Sequence, residues 1–145
     1  MYKHTQIGKM LVSVVGITAL ITGLAGVLAL EYLELAPIII IFSISGILLI
    51  CLMLFSTLTI TVKEDYISIK YGIGLIKKKF QIKDLDNWQA ISYKGGYGFG
   101  PRLTSEGWFF NVANSGAVKF SFKDNKAFFV GTNEPYELVS AINSI

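Results

Sequence analysis

The chain has 145 residues, of which 52% are hydrophobic, and a formal net charge of +3. This apolar share exceeds that of soluble domains, so we expect a membrane protein, and the small basic excess does not predict nucleic-acid binding. The one cysteine, Cys51, excludes an intrachain disulfide. The one histidine, His4, stands at a terminus that we expect to be frayed, so a metal site built from histidine and cysteine is not expected.

Two long runs without charge follow the N-terminus, at 10–30 and 35–55. As helices they would each be roughly 30 Å long, which is enough to cross the hydrocarbon core of a bilayer. The segment between them, EYLE, is short, so the two helices should form an antiparallel hairpin. We therefore predict a two-helix transmembrane hairpin within residues 1–56, surrounded by membrane lipids.

The charges beside the two runs predict their orientation. Lys3, Lys9, Lys63 and Lys70 lie outside the runs, whereas EYLE contains no lysine or arginine. The positive-inside rule then places both termini in the cytoplasm, in a multi-pass protein of the inner or plasma membrane. The alternative for the first run is a cleaved signal peptide, with VLA at 27–29 as the cleavage site, although the run is longer than a usual signal-peptide core.

Small residues recur at helical spacing in the first run: Ser13, Gly16, Ala19, Gly23 and Gly26. We favour packing of this face against the second run, and a homo-oligomer or a partner helix is the alternative. Neither run contains a charged residue, so an ion or proton pathway lacks its usual chemistry.

From residue 58 onward the hydrophobic pattern has a period of two, as in LTITV, YISIKY and AVKFSFKD. Such alternation, interrupted by turn residues, predicts half-buried antiparallel strands. Seven strands are expected, at about 57–63, 66–71, 75–81, 86–93, 107–113, 117–123 and 126–131. The final segment, TNEPYELVSAINSI, predicts a helix capped by Asn133 or Glu134, with Pro135 in its first turn. Its apolar stripe would be Leu138, Ala141, Ile142 and Ile145.

Seven strands followed by one amphipathic helix resemble the pleckstrin-homology (PH) architecture. Residues 57–145 look like the bacterial PH-like domains found in small membrane proteins behind two N-terminal spans. The resemblance rests on four segments, TVKEDYISIKYGIG, GPRLTSEGWFFNV, AVKFSFKDNKAFFVGT and NEPYELVSAI. It implies a membrane helical hairpin and a cytoplasmic, seven-stranded, partly open antiparallel barrel closed by a C-terminal helix. The family has no generally assigned activity.

The glycine-rich stretch SYKGGYGFGPRLTSEGWFF, at 92–110, does not fit a nucleotide-binding loop. It lacks the Lys-Ser or Lys-Thr pair of a P-loop, and no helix is predicted after it to supply amides to a phosphate. We therefore expect no nucleotide ligand. Four side chains in this stretch would be costly to leave in a loop without contacts: Tyr93, Tyr97, Phe99 and Arg102. Either the aromatic side chains pack onto the barrel, or these four residues bind a partner.

The run Lys77, Lys78 and Lys79 also has two interpretations. It protects an edge strand from aggregation, or it contacts anionic lipid, with about 1 kcal/mol per lysine near the surface. Many phosphoinositide-binding PH domains carry basic residues around the first hairpin loop. That loop here is Lys63-Glu64-Asp65, which is short and acidic and argues against inositol-phosphate recognition.

Catalytic residues are not evident, because the paired carboxylates Glu64-Asp65 and Asp84/Asp86 fall at predicted turns or strand ends. We expect a protein that is not an enzyme and needs no cofactor. Its expected function is binding of a protein partner at the membrane, as a scaffold or accessory protein. The alternatives are an anionic-lipid surface sensor and an accessory subunit of a transporter or membrane enzyme.

Overall fold

The computed structural model describes residues 1–92, 98–113 and 116–145. The helices in these ranges are α1 (Lys9–Ala29), α2 (Leu35–Phe55) and α3 (Pro135–Asn143). The strands are β1 (Tyr2–Ile7), β2 (Thr57–Val62), β3 (Tyr66–Tyr71), β4 (Lys77–Gln81), β5 (Leu85–Ile91), β6 (Gly100–Leu103), β7 (Gly107–Asn111), β8 (Ala117–Phe122) and β9 (Ala127–Gly131). A short 3-10 turn, Ile82–Asp84, joins β4 to β5.

Helices α1 and α2 form a hairpin that is long and apolar enough to cross a membrane. Most of their large apolar side chains are exposed, unlike those of a core helix in a soluble protein. The predicted seam of small residues packs against α2: a Cβ added to Gly26 would lie 3.1 Å from Ile41, and one added to Gly16 would lie 3.8 Å from Leu52. The hydroxyl of Ser45 donates a hydrogen bond to the carbonyl oxygen of Ala19 at 3.0 Å.

The strands form two open sheets. The first sheet has the order β1-β2-β3-β4 and is antiparallel throughout. The second has the order β5-β8-β9-β7-β6, and its β7–β9 pair is parallel. The predicted seven-stranded antiparallel barrel is therefore wrong: the sheets have four and five strands and remain open. The alternating pattern located most of the strands but could not indicate their order. In particular, it could not show that β8 pairs with β5 and β9 rather than with β7, which precedes it in the chain.

Two strands lie where the hydrophobic pattern predicted none. The more buried face of strand β1 carries polar side chains, among them His4 and the buried Gln6. The strand therefore lacks the apolar alternation that would predict it. His4 is consequently not frayed, because its ring nitrogens contact Asn133 Oδ1 at 2.8 Å and Glu134 Oε2 at 3.1 Å. Strand β6 contains Pro101, which a sheet tolerates at its edge.

The main core lies between the inner faces of the two sheets and α3. Fully buried side chains from β2, β3, β8 and β9 meet there, and Leu138 and Ile142 of α3 complete the cluster. The helix begins at Pro135 as predicted, with Glu134 at the N-cap position. The apolar stripe is shorter than predicted, because Ile145 is exposed.

The helical hairpin and the sheets meet in a polar and aromatic junction. The amide of Gly8 donates to the carbonyl oxygen of Ser56 at 2.8 Å and thereby joins the start of α1 to the end of α2. The ring of Phe55 packs edge-on against the fully buried Tyr71 at 5.8 Å. The Tyr71 hydroxyl in turn accepts from the amide of Asn111 at 2.6 Å and donates to its carbonyl at 3.1 Å. The end of α2 is thus connected to both sheets.

Candidate functional site

The outer strand of the first sheet, β4, has one open side. Among the strands that the structure describes, β4 pairs with β3 alone. A groove of 550 Å³ lies between β4 and the second sheet, and its walls carry side chains from β4, the 3-10 turn, β7, β8 and β9. Unpaired backbone N–H and C=O groups at such an edge are a template for an additional strand. We refer to this feature as the β4 groove.

The floor of the β4 groove is aromatic. Phe80 of β4 packs against Phe122 and Phe128, with ring centroids 5.3 and 5.7 Å apart. Trp108 of β7 stands at the side of the groove with 48% of its surface exposed. Leu103, directly opposite Trp108 on β6, is also exposed. The groove therefore offers apolar surface that water covers in the isolated chain.

The rim of the β4 groove is basic. Four lysines line it, Lys78, Lys79, Lys83 and Lys126, against two acids, Asp84 and Asp124. The Lys126 ammonium lies 2.5 Å from Asp124, and this hydrogen bond lowers the pKa of the Asp124 carboxyl below its ordinary value. Within the described ranges, neither Lys78 nor Lys83 has an acidic partner. The groove thus has the charge to attract an anionic ligand.

The structure separates the three lysines for which lipid contact was predicted. Lys77 stands directly opposite Lys70 on the outer face of the first sheet. Lys79, which borders the groove, lies on the same outer face and places its ammonium 3.6 Å from the centre of the Tyr66 ring. Lys78 shares the other face with Ile69 and lines the groove. The lipid-contact role of the three residues stays a prediction.

Of the four residues predicted to bind a partner, the structure describes two, Phe99 and Arg102. Tyr93 and Tyr97 lie outside the described residues. Phe99 is half-buried and lines a second cavity, of 550 Å³, beside the start of α1, together with His4 and Lys9. Arg102 is exposed on β6, and its guanidinium lies close to Gly98. Their partner-binding role also stays a prediction.

The second cavity borders the contacts that hold β1. The Tyr2 hydroxyl donates to Glu134 at 3.1 Å. Burial, followed by this hydrogen bond to a carboxylate, raises the pKa of the Tyr2 phenol well above its ordinary value, so the phenol remains protonated and continues to donate. Glu134 also contacts His4. These polar side chains are engaged in joining β1 to the start of α3, which is a structural role.

The acidic residues noted in the sequence stand in turns or on a strand, and the absence of catalysis stays a prediction. No group of three histidine, cysteine or acidic side chains in the part of the chain that the structure describes could hold a metal ion. Glu64 and Asp65 stand in the turn between β2 and β3, Asp84 ends the 3-10 turn, and Asp86 is exposed on β5. What the sequence did not reveal is that Trp108, Lys83 and Lys126 join Lys78 at one groove, because only the strand order brings them together.

The chain matches no known family model, and no curated protein or solved structure is significantly similar to it. The structure has two apolar helices, a β-rich domain and a C-terminal helix in the predicted order, and membership of the PH-like family stays a prediction.

Proposed function

We propose that this chain is a non-enzymatic, membrane-anchored interaction protein that binds an extended acidic segment of a partner protein along β4. The observation that carries the proposal is the open edge of β4 beside a basic groove with an aromatic floor. An extended peptide that adds a strand to a sheet edge gains affinity from main-chain hydrogen bonds and specificity from pockets for alternate side chains. The β4 groove offers both.

The side chains of the groove favour one class of peptide. Trp108 and the Phe80 floor would receive an apolar or aromatic side chain, and exposed tryptophans often dominate interface energies. Lys78 and Lys83, which have no acidic partner among the described residues, would meet aspartate or glutamate. A basic peptide would be repelled by the same lysines, so the groove discriminates by charge.

Replacing Trp108 with alanine should weaken peptide binding by about 2 kcal/mol or more, roughly thirtyfold, because a half-exposed anchor would be lost from the groove. Lys78→Glu and Lys83→Glu should each weaken the binding of acidic peptides and strengthen the binding of basic peptides. Binding is measured by fluorescence anisotropy with a library of short acidic-aromatic peptides and charge-reversed copies. The full chain is held in uncharged phosphatidylcholine nanodiscs.

Lys123→Glu is the matched control, because Lys123 is exposed but does not line the groove. Peptide binding should also slow hydrogen exchange of the β4 amides, which a contact through side chains alone would not do. Equal affinity for acidic and basic peptides, or no protection of β4, would contradict strand addition.

The alternative of an anionic-lipid sensor has a specific observation in its favour: Lys70 and Lys77, on the outer face of the first sheet, have no acidic partner among the described residues. It predicts that anionic lipid, rather than peptide, protects β4, and that the protection declines as salt is raised. If the chain is an accessory subunit of a transporter or membrane enzyme, the acidic segment that binds along β4 would belong to that larger protein. Kinship with bacterial PH-like membrane proteins is part of the proposal and is supported by element order alone.

We further propose that the helical hairpin spans the inner or plasma membrane with both termini in the cytoplasm. The pairing of β1 with β2 supports this, because it requires the N-terminus and the sheets to lie on the same side. The lysines beside the helices favour the cytoplasmic side. Retention of the first span has the same support, since cleavage at 27–29 would remove β1 from its sheet.

Cysteine labelling tests this orientation. In a Cys51→Ala background, a cysteine replacing Glu34 should react with an impermeant reagent added outside intact cells, because Glu34 lies between α1 and α2. A cysteine replacing Lys123, in the exposed turn after β8, should react only after the membrane is opened. Labelling in the opposite order would place the sheets outside the cell.

A further inference from the structure

The turn between β3 and β4 carries two large aliphatic side chains in the open. Ile73 is 62% exposed and Leu75 is 73% exposed. The backbone of the turn is nevertheless ordered by hydrogen bonds: the Gly74 amide donates to Tyr71 at 2.6 Å, and the Tyr71 amide donates to Ile76 at 2.9 Å. A fixed turn therefore displays apolar side chains that neither sheet covers.

This turn lies against the last turn of α2. A Cβ added to Gly72 would overlap the carbonyl oxygen of Met53 and would lie 2.6 Å from that of Leu54. The Gly72 amide donates to Thr57, directly after the helix, at 2.9 Å. Because α2 is about as long as the hydrocarbon core is thick, its last turn marks the boundary between acyl chains and headgroups. Ile73 and Leu75 are therefore held near that boundary.

The strands that enter and leave the turn place a lysine pair directly behind it. Lys70 and Lys77 are opposite each other across β3 and β4, and both are exposed. Like charges directly opposite in a sheet repel, and within the described ranges neither lysine has an acidic partner. Anionic headgroups in the adjacent leaflet would neutralise this pair.

We propose that the β3–β4 turn is an interfacial membrane anchor. Ile73 and Leu75 enter the acyl boundary of the leaflet at which α2 ends, and Lys70 and Lys77 bind the phosphates of anionic lipids above it. Apolar side chains of interfacial segments reach roughly 5–10 Å into this boundary. With α2 as one attachment and the turn as a second, the sheets are held in one tilt, so the β4 groove has a defined direction relative to the membrane. The inference rests on α2 spanning the membrane and is independent of what the groove binds.

Lipid quenching of a fluorescent label tests the anchor in the full chain. An environment-sensitive dye is attached to a single cysteine at Leu75 in the Cys51→Ala background. The chain is reconstituted in nanodiscs of phosphatidylcholine and phosphatidylglycerol in equal parts, with a nitroxide high on the acyl chain. We expect strong loss of fluorescence at position 75. A control dye on a single cysteine that replaces Lys123 should lose none. Quenching at position 75 by aqueous iodide but not by lipid would overturn the proposal, because it would show that water covers the turn.

A label at Met53, exposed on the last turn of α2, separates the two failures. If position 53 is quenched by lipid and position 75 is not, the helix spans and the anchor is wrong. If neither is quenched, the membrane placement of α2 falls, and the anchor falls with it.

The headgroup contact has its own readout. Nitroxide carried on phosphatidylglycerol should quench position 75 more strongly than nitroxide on phosphatidylcholine, because the lysines enrich anionic lipid beside the turn. Combining Lys70→Gln with Lys77→Gln should remove this difference while quenching by total lipid persists. An unchanged preference in the double variant would overturn the lysine contact. Both lysines are exposed, so the fold should tolerate the change.

Discussion

Leu138→Asp should unfold the β-rich domain, with a loss of about 4 kcal/mol or more in the free energy of unfolding. Leu138 is fully buried at the centre of the cluster that α3 shares with both sheets. A carboxylate there would lose its hydration without a partner, and a cost of this size is comparable to the whole stability of a small domain. Thermal unfolding in detergent, followed by circular dichroism, measures the effect.

The matched control is Tyr136→Asp, in the same helix but 75% exposed, and it should leave the melting temperature nearly unchanged. Trp88 gives a local signal, since its indole N–H donates to Asn143 of α3 at 2.8 Å and should become solvated when the helix detaches. If the Leu138→Asp and Tyr136→Asp variants have the same melting temperature, α3 is not part of the core. We also predict that residues 57–145 fold without the spans, although such a fragment would lack β1.

Gly72→Ala should separate the first sheet from the end of α2, at a cost of roughly 3 kcal/mol or more. The backbone of Gly72 has a φ of 43°, in the left-handed region, which costs a residue with a Cβ about 1–2 kcal/mol. The larger part of the effect is steric, because the new Cβ would overlap the backbone oxygen of Met53, and helix backbone cannot rotate away as a side chain can. Thermal unfolding and hydrogen exchange of the Gly72 amide report the loss.

Gly74→Ala separates the two causes, because it lies in the same turn with a φ of 89°. Its added Cβ would come no closer than 3.7 Å to the side chain of Lys70, so only the conformational cost remains. Equal destabilisation by the two variants would show that the close approach to α2 contributes nothing.

The sequence predicted the elements whose pattern is set by burial of apolar side chains. The strand at 66–71 was located to the residue, and the helix beginning at Pro135 follows from proline at a first turn before an apolar stripe. The second span has the predicted bounds, and the first agrees within one residue at each end. In each case the signal is local, because hydrophobic periodicity and turn chemistry act within a few residues.

The sequence could not predict what depends on contacts between distant segments. Strand β1 is recruited by backbone pairing with β2 and by polar contacts of Tyr2 and His4 with Glu134, and neither leaves an apolar pattern. The parallel β7–β9 pair follows from the strand order rather than from any residue type. The β4 groove cannot be predicted from the sequence for the same reason, although the sequence does predict a strand that carries Lys78 and Lys79.

The pairing of Ile7 with Thr57 also orders events during synthesis. Strand β1 is translated before both apolar helices, and its partner β2 is translated only after them. Strand β1 must therefore remain without its β2 partner until both helices have been made, and the first sheet forms afterwards. A long segment fused ahead of Tyr2 would be present while β1 lacks its partner. In the folded chain it would extend from the sheet beside Val62, at the end farthest from the helices.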